Sequence, residues 1–192
     1  MMLEVSLGDA LDKLSILEIK RSRITDPKKL EEIHKEILAL SAVPKTNALL
    51  YDLLVEINTI IWDLTDTVKS KTEIDIEYAE ISRSIFDNNQ KRFRVKNMIN
   101  YSDIGSLKEQ KSYQLSQAVI EVTDMTMAIP AIYALCTMYD QVVVIDGHDE
   151  LRKIFTTPNV LFSEDVLGIP RYKDTFLETS VIDRYTPKPT VT

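Results

Sequence analysis

Asp124 stands where the apolar run Ala118-Val119-Ile120-Glu121-Val122 gives way to the helical pattern of residues 125–139. The run reads as a strand, so Asp124 falls at the ligand-facing edge of an open sheet. A carboxylate there can face a bound ligand. The same position suits a helix N-cap, because Asp accepts hydrogen bonds from the orphan N–H groups of a first turn. A second such edge is Asp146-Gly147-His148-Asp149-Glu150, after the run Val142-Val143-Val144-Ile145. His148 titrates near neutral pH and is a candidate acid or base, with Asp146 as a ligand contact beside it. The alternative is a plain strand-to-helix turn, Gly147 supplying positive φ and Asp149 the cap. Residues 122–127 contain no glycine, which argues against a phosphate-cradling loop.

The helical first half carries charges in unusual places. Asp12, Lys13, Glu18 and Lys20 lie on a helix that is apolar over much of its circumference. They form either an interior ion-pair network or a ligand-binding cleft against Asp63 and Asp66. Those two carboxylates are one turn apart, but with no histidine or third oxygen ligand beside them no metal site is expected. Arg83 precedes the basic run Lys91-Arg92-Phe93-Arg94-Val95-Lys96. Arg92 and Lys96 share a helix face, giving either a solvated surface or a contact to an anion or phosphosugar. Cys136, the one cysteine, sits in an apolar run and reads as a buried structural thiol. His34 and His148 have no companion cysteine for a zinc set.

The elements that would position these groups follow from periodicity. Ser6 and Asp9 form a capping-box-like pair before a helix with Leu7, Leu11, Leu14 and Leu17, running to about Ile24. Asp26-Pro27 stops it and starts a second helix with Leu30, Ile33, Ile37 and Leu40. A third carries one apolar stripe from Leu50 through Leu54, Ile57, Ile61 and Leu64 to Val68, with Trp62 off its centre. A fourth spans about Asp75 to Tyr101, followed by the linker-like segment 102–112. Short connections imply antiparallel neighbours. Beyond the linker, three strands (118–122, 141–146 and 159–162) are separated by helices, which implies parallel pairing. The expected fold is α+β, mainly α. A helical domain (1–112) precedes a small three-stranded parallel β-α-β-α-β unit (113–170) and an extended tail (171–192).

Composition narrows the function classes. The net charge of −7 lacks the basic field that nucleic-acid binding requires. No apolar run approaches the roughly 18–20 residues of a membrane span, and the start MMLEVSLGD does not resemble a signal peptide. A cytoplasmic protein without membrane insertion is expected.

Two resemblances add context. Residues Asp12–Lys20 with Arg23-Ile24, Asn58–Asp66, Ser82–Asn89 and Glu109–Tyr113 resemble the bacterial and phage family called domain of unknown function 6165. That resemblance covers roughly the first 113 residues and implies an association with surface-polysaccharide gene clusters, without an activity. The segment Thr123–Leu135 is similar to the first strand-loop-helix of heptosyltransferase-like enzymes, glycosyltransferase family 9. Asp124 and Pro130 match that pattern, Thr123 replaces its glycine, and Asp140 follows Tyr139 where the family has proline. In that family the loop aspartate is the candidate general base.

Together these give a non-catalytic accessory or interaction protein of surface-glycan biosynthesis, with a protein partner or self-association. The alternative is a small glycosyltransferase-like enzyme using Asp124, with a nucleotide sugar as ligand. No resident cofactor is expected.

Overall fold

The computed structural model describes residues 5–45, 47–103, 116–145, 149–163 and 170–187. The chain divides into two compact units, Met1–Lys108 and Glu109–Thr192. It is α+β and mainly α, as the periodicities imply.

Among the described residues of the first unit four helices begin at side-chain caps, of which the sequence announces those of the first, second and fourth. The four helices are α1 (Leu7–Arg23), α2 (Pro27–Ala39), α3 (Ala48–Ser70) and α4 (Ile76–Ser102). The Ser6 hydroxyl accepts from Asp9 N–H and donates to the Asp9 carboxylate. Asp26 takes the N–H groups of Lys28 and Lys29, with Pro27 at the first helical position. Asn47 caps α3 through Leu50 N–H, and Asp75 caps α4 through Tyr78 N–H. Each such cap is worth about 1 kcal/mol.

α4 runs antiparallel to α1, as the pairs Gly8–Asn100, Asp9–Lys96 and Asp12–Arg92 show. The two helices approach closely at Gly8. A Cβ there would lie 2.5 Å from the Lys96 carbonyl oxygen and 2.7 Å from Asn100 Oδ1. The Gly8 N–H donates to that same Oδ1 at 2.6 Å. The core is built from Leu11, Leu14 and Leu17 of α1, Leu50 to Ile57 of α3, and Val95, Met98 and Ile99 of α4. The α3 stripe continues in sequence to Val68, but among its residues none beyond Asn58 is buried, and Ile60 is 37% exposed. Trp62 is half-buried.

The second unit contains β1 (Gln117–Glu121), α5 (Met125–Met138), β2 (Gln141–Ile145), α6 (Asp149–Ile154), β3 (Val160–Ser163), β4 (Arg171–Lys173), a 3-10 turn (Asp174–Phe176) and α7 (Thr179–Tyr185). All strand pairs are parallel, in the order β3-β2-β1-β4. β1 and β2 are buried on both faces, through Ala118, Val119 and Ile120 and through Val142 to Ile145. That explains their continuous apolar runs. α5 packs against β2, the 3-10 turn and α7.

Here the structure corrects two expectations. Among the described residues the sheet has four strands rather than three, and the expected extended tail contains β4, the 3-10 turn and α7 between residues 171 and 185. β4 is only Arg-Tyr-Lys, too short and too polar to show alternation. It exists because β1 offers an edge, Val119 to Glu121 pairing with Arg171 to Lys173. The segment read as a linker lies outside the described residues beyond position 103.

Candidate functional site

The strand order places a topological switch point between β1 and β4. From β1 the chain moves to β2 and β3 on one side, then supplies β4 on the other. In open parallel sheets ligands bind in the crevice at the carboxyl ends of the strands flanking such a point. Here those ends are Glu121 of β1 and Lys173 of β4, which are in register. Thr123 and Asp124 follow the first, and Asp174 follows the second.

Asp124 caps α5. Its Oδ1 accepts from Thr126 N–H at 2.8 Å, and the residue is otherwise exposed. Its backbone N–H and that of Thr123 both donate to Asp174 Oδ2. The Thr123 hydroxyl donates to Asp174 Oδ1 at 2.8 Å. Asp174 itself is fully buried. Burial raises its carboxyl pKa, but the donors from Asp124, Thr123 and Thr175 outweigh burial and hold the group below the ordinary carboxylate value. A negative charge contributed by the chain therefore sits on backbone donors of the kind that would otherwise receive a ligand phosphate.

Sequence reasoning missed Asp174. No local pattern marks it, because its partners are 50 and 51 residues away. The usable signal was topological: a fourth strand ending at Lys173 would have put the next residue beside Asp124. Asp140 plays a similar part at the opposite edge of the sheet. Its Oδ2 accepts the Ser116 N–H at 2.9 Å and hydroxyl at 2.8 Å, holding the entrance of β1 to that of β2. Nearby, the Tyr139 and Tyr172 hydroxyls are 2.6 Å apart, which together with burial raises the Tyr139 pKa. Asp146 and His148 lie outside the described residues. Cys136 is buried, its thiol pushed up to about 12 by that burial.

In the helical unit the candidate residues go to separate partners. Asp12 accepts from Asn58 Nδ2 at 2.8 Å, and Arg92 lies 4.0 Å away. Asn58 also donates to Ser15 Oγ at 2.7 Å, so one polar seam joins α1, α3 and α4. Lys96 reaches Asp9 at 2.6 Å. Burial opposes ionisation of Asp9, but hydrogen bonds from Lys96 and Ser6 prevail and lower its pKa. The face shared by Arg92 and Lys96 is thus turned to internal carboxylates.

Lys13 pairs with Glu36 at 2.7 Å. Glu18 accepts from the Tyr51 hydroxyl at 2.8 Å, and Lys45 sits 3.3 Å from its other oxygen and 4.0 Å over the Tyr51 ring. Burial and that hydrogen bond push the Tyr51 hydroxyl well above its ordinary pKa. Asp63 pairs with Arg23 at 3.0 Å, and Arg83 with Asp87 at 3.2 Å, all on the surface. Among the described residues no three His, Cys, Asp or Glu side chains gather as a metal-ligand set, and no helix is long and apolar enough to cross a membrane.

Fold and site define a mainly helical α+β protein with a small all-parallel sheet whose switch point is occupied by its own aspartate. Compared with family models, with curated proteins and with solved structures, the chain gives no match.

Proposed function

We propose that this chain is a non-catalytic accessory or interaction protein of surface-glycan assembly, acting in the cytoplasm with a protein partner. The observation that supports the non-catalytic reading is Asp174. It takes the Thr123 and Asp124 N–H groups at the switch point, and Asp124 itself takes Thr126 N–H. An incoming phosphate would have to displace a buried carboxylate from charge-assisted hydrogen bonds, each worth roughly 1.5–3 kcal/mol. The glycan context rests on the resemblance carried by Asp12–Lys20 and Asn58–Asp66.

The test is nucleoside diphosphate release from a panel of nucleotide sugars, with sugar acceptors present. No release above the blank is expected from the full chain. A specific capture of a glycan-assembly enzyme from a native host is the positive counterpart.

A second reading is a glycosyltransferase-like enzyme with Asp124 as general base. It is favoured by the exposure of Asp124 at the carboxyl edge of β1. It requires sugar transfer that disappears in Asp124→Asn, and that result would overturn the first reading.

A further inference from the structure

α2 lies on α1 with a single buried residue, Ile33, and leaves an open cleft of about 440 Å³ at the corner between the two helices. Lys20 and Ile24 line it from the end of α1, and Lys28, Lys29, Glu32 and Ile33 from the start of α2. The volume falls within the roughly 300–1,000 Å³ usual for small-molecule sites.

Three of the six residues that line this cleft are lysines. Most lysines elsewhere in the unit are matched: Lys13 to Glu36, Lys35 to Glu31 and Glu32, Lys45 to Glu18, Lys71 to Glu77 and Lys96 to Asp9; Lys69 and Lys91, exposed on α3 and α4, pair with no carboxylate among the described residues. Lys20, Lys28 and Lys29 have no carboxylate at ion-pair distance among the described residues. The cleft's one acid, Glu32, is held by Lys35 at 2.8 Å. Glu36 feels the charge of Lys20 but is bonded to Lys13. Three lysines thus line one concavity, mainly with their apolar stems, in a chain of net charge −7. An anion seated there would be attracted by all three ammonium groups on their flexible stems. The α2 backbone plays no part, because Asp26 already takes the Lys28 and Lys29 N–H groups. Ile24 and Ile33 give the cleft an apolar floor, on which a free inorganic anion would gain nothing.

We propose that the α1–α2 cleft binds an organic diphosphate, its phosphates on Lys20, Lys28 and Lys29 and its organic part on Ile24 and Ile33. Lysine suits this role as a mobile point charge on a flexible stem. The organic part is a nucleoside or a lipid chain, and both present the same diphosphate to the same three ammonium groups. The proposal is independent of whether the protein transfers sugar, since it concerns binding in the helical unit.

The experiment follows the Ile24 and Ile33 methyl resonances of the full chain during titration with UDP, farnesyl diphosphate and inorganic pyrophosphate. Saturable shifts of both methyls with UDP or with farnesyl diphosphate are expected, and the one that binds identifies the organic part. In Lys20→Gln/Lys28→Gln/Lys29→Gln the dissociation constant should rise at least about tenfold. The control Lys69→Gln/Lys91→Gln/Lys173→Gln removes the same charge elsewhere and should leave it unchanged. These side chains are on the surface or only half-buried, so both variants are expected to fold, with circular dichroism as the check. Absence of methyl shifts at millimolar ligand, equal weakening in the control, or pyrophosphate binding as tightly as either organic diphosphate would each overturn the proposal. None of these readouts depends on turnover, so their failure is distinct from failure of the accessory-protein reading.

Discussion

At the carboxyl edge of the sheet, a buried carboxylate meets backbone N–H groups and the local charge is closed within the chain. At the corner of α1 and α2, Lys20, Lys28 and Lys29 line a cleft whose one acid, Glu32, is paired with Lys35, and none of the three makes an ion pair among the described residues. The topology makes the first region the expected ligand site, and nothing in the topology singles out the second. The difference teaches that a ligand-facing position in a fold is only a location. Whether a ligand has anything to bind there depends on which donors and charges the chain has already satisfied.

The largest expected effect tests the closed region. Asp174→Ala leaves the Thr123 and Asp124 N–H groups and the Thr123 hydroxyl without their acceptor, and opens a buried space. A loss of about 2–4 kcal/mol from the α/β unit is expected, read from hydrogen exchange of the β1 amides. The pH dependence has a definite sign. Because the folded Asp174 pKa lies below the unfolded value, its contribution is present above the ordinary carboxylate range near about 4. It is lost as pH falls through the lower, folded value. Asp174→Asn should flatten that acid limb, and an unchanged limb would break the claim that this carboxylate closes the edge.

Next comes Gly8→Ala in the helical unit. An added methyl meets the Lys96 carbonyl oxygen and Asn100, so α1 must move from α4. A cost of about 1–3 kcal/mol is expected in urea unfolding followed through Trp62 fluorescence. A neutral result would show that the seam adjusts more readily than its spacing implies.

Asp124 sharpens the comparison from the other side. Asp124→Ala removes the α5 cap and should cost about 1 kcal/mol, whereas Asp124→Asn keeps a capping oxygen and should be nearly neutral. The hydrogen exchange of α5 amides reports both. The smallest effect belongs to the open region. Lys20→Gln/Lys28→Gln/Lys29→Gln should change stability by less than about 0.5 kcal/mol, in either direction, because these side chains hold no bond in the fold. A large loss in thermal unfolding would mean that the cleft is structural.

Much of the fold was legible because its signals are local. Asp26-Pro27, Asp75 and Asp124 announce helix starts through bonds that span two or three residues. The apolar runs 118–120 and 142–145 announce strands buried on both faces. β4 was not legible, because three residues cannot display a period, and neither was Asp174, whose partners are supplied by a strand and turn far back in the chain. The candidate residues of the first half were recognised as charged groups out of place. Which of them would pair internally was not readable, since Asp12 and Glu18 look alike until Asn58 and Tyr51 arrive.

The sequence by itself determined the helices with their caps, the change from a period near 3.6 to buried apolar runs after the first hundred residues, and the acidic balance. These are properties of neighbouring residues and of totals. The tertiary structure alone decided that α3 is buried only as far as Asn58, that β4 completes the sheet, that Asp174 occupies the switch point, and that three lysines share one cleft. Each of these depends on a contact between distant segments, and the free energy of such a contact is written in neither segment alone.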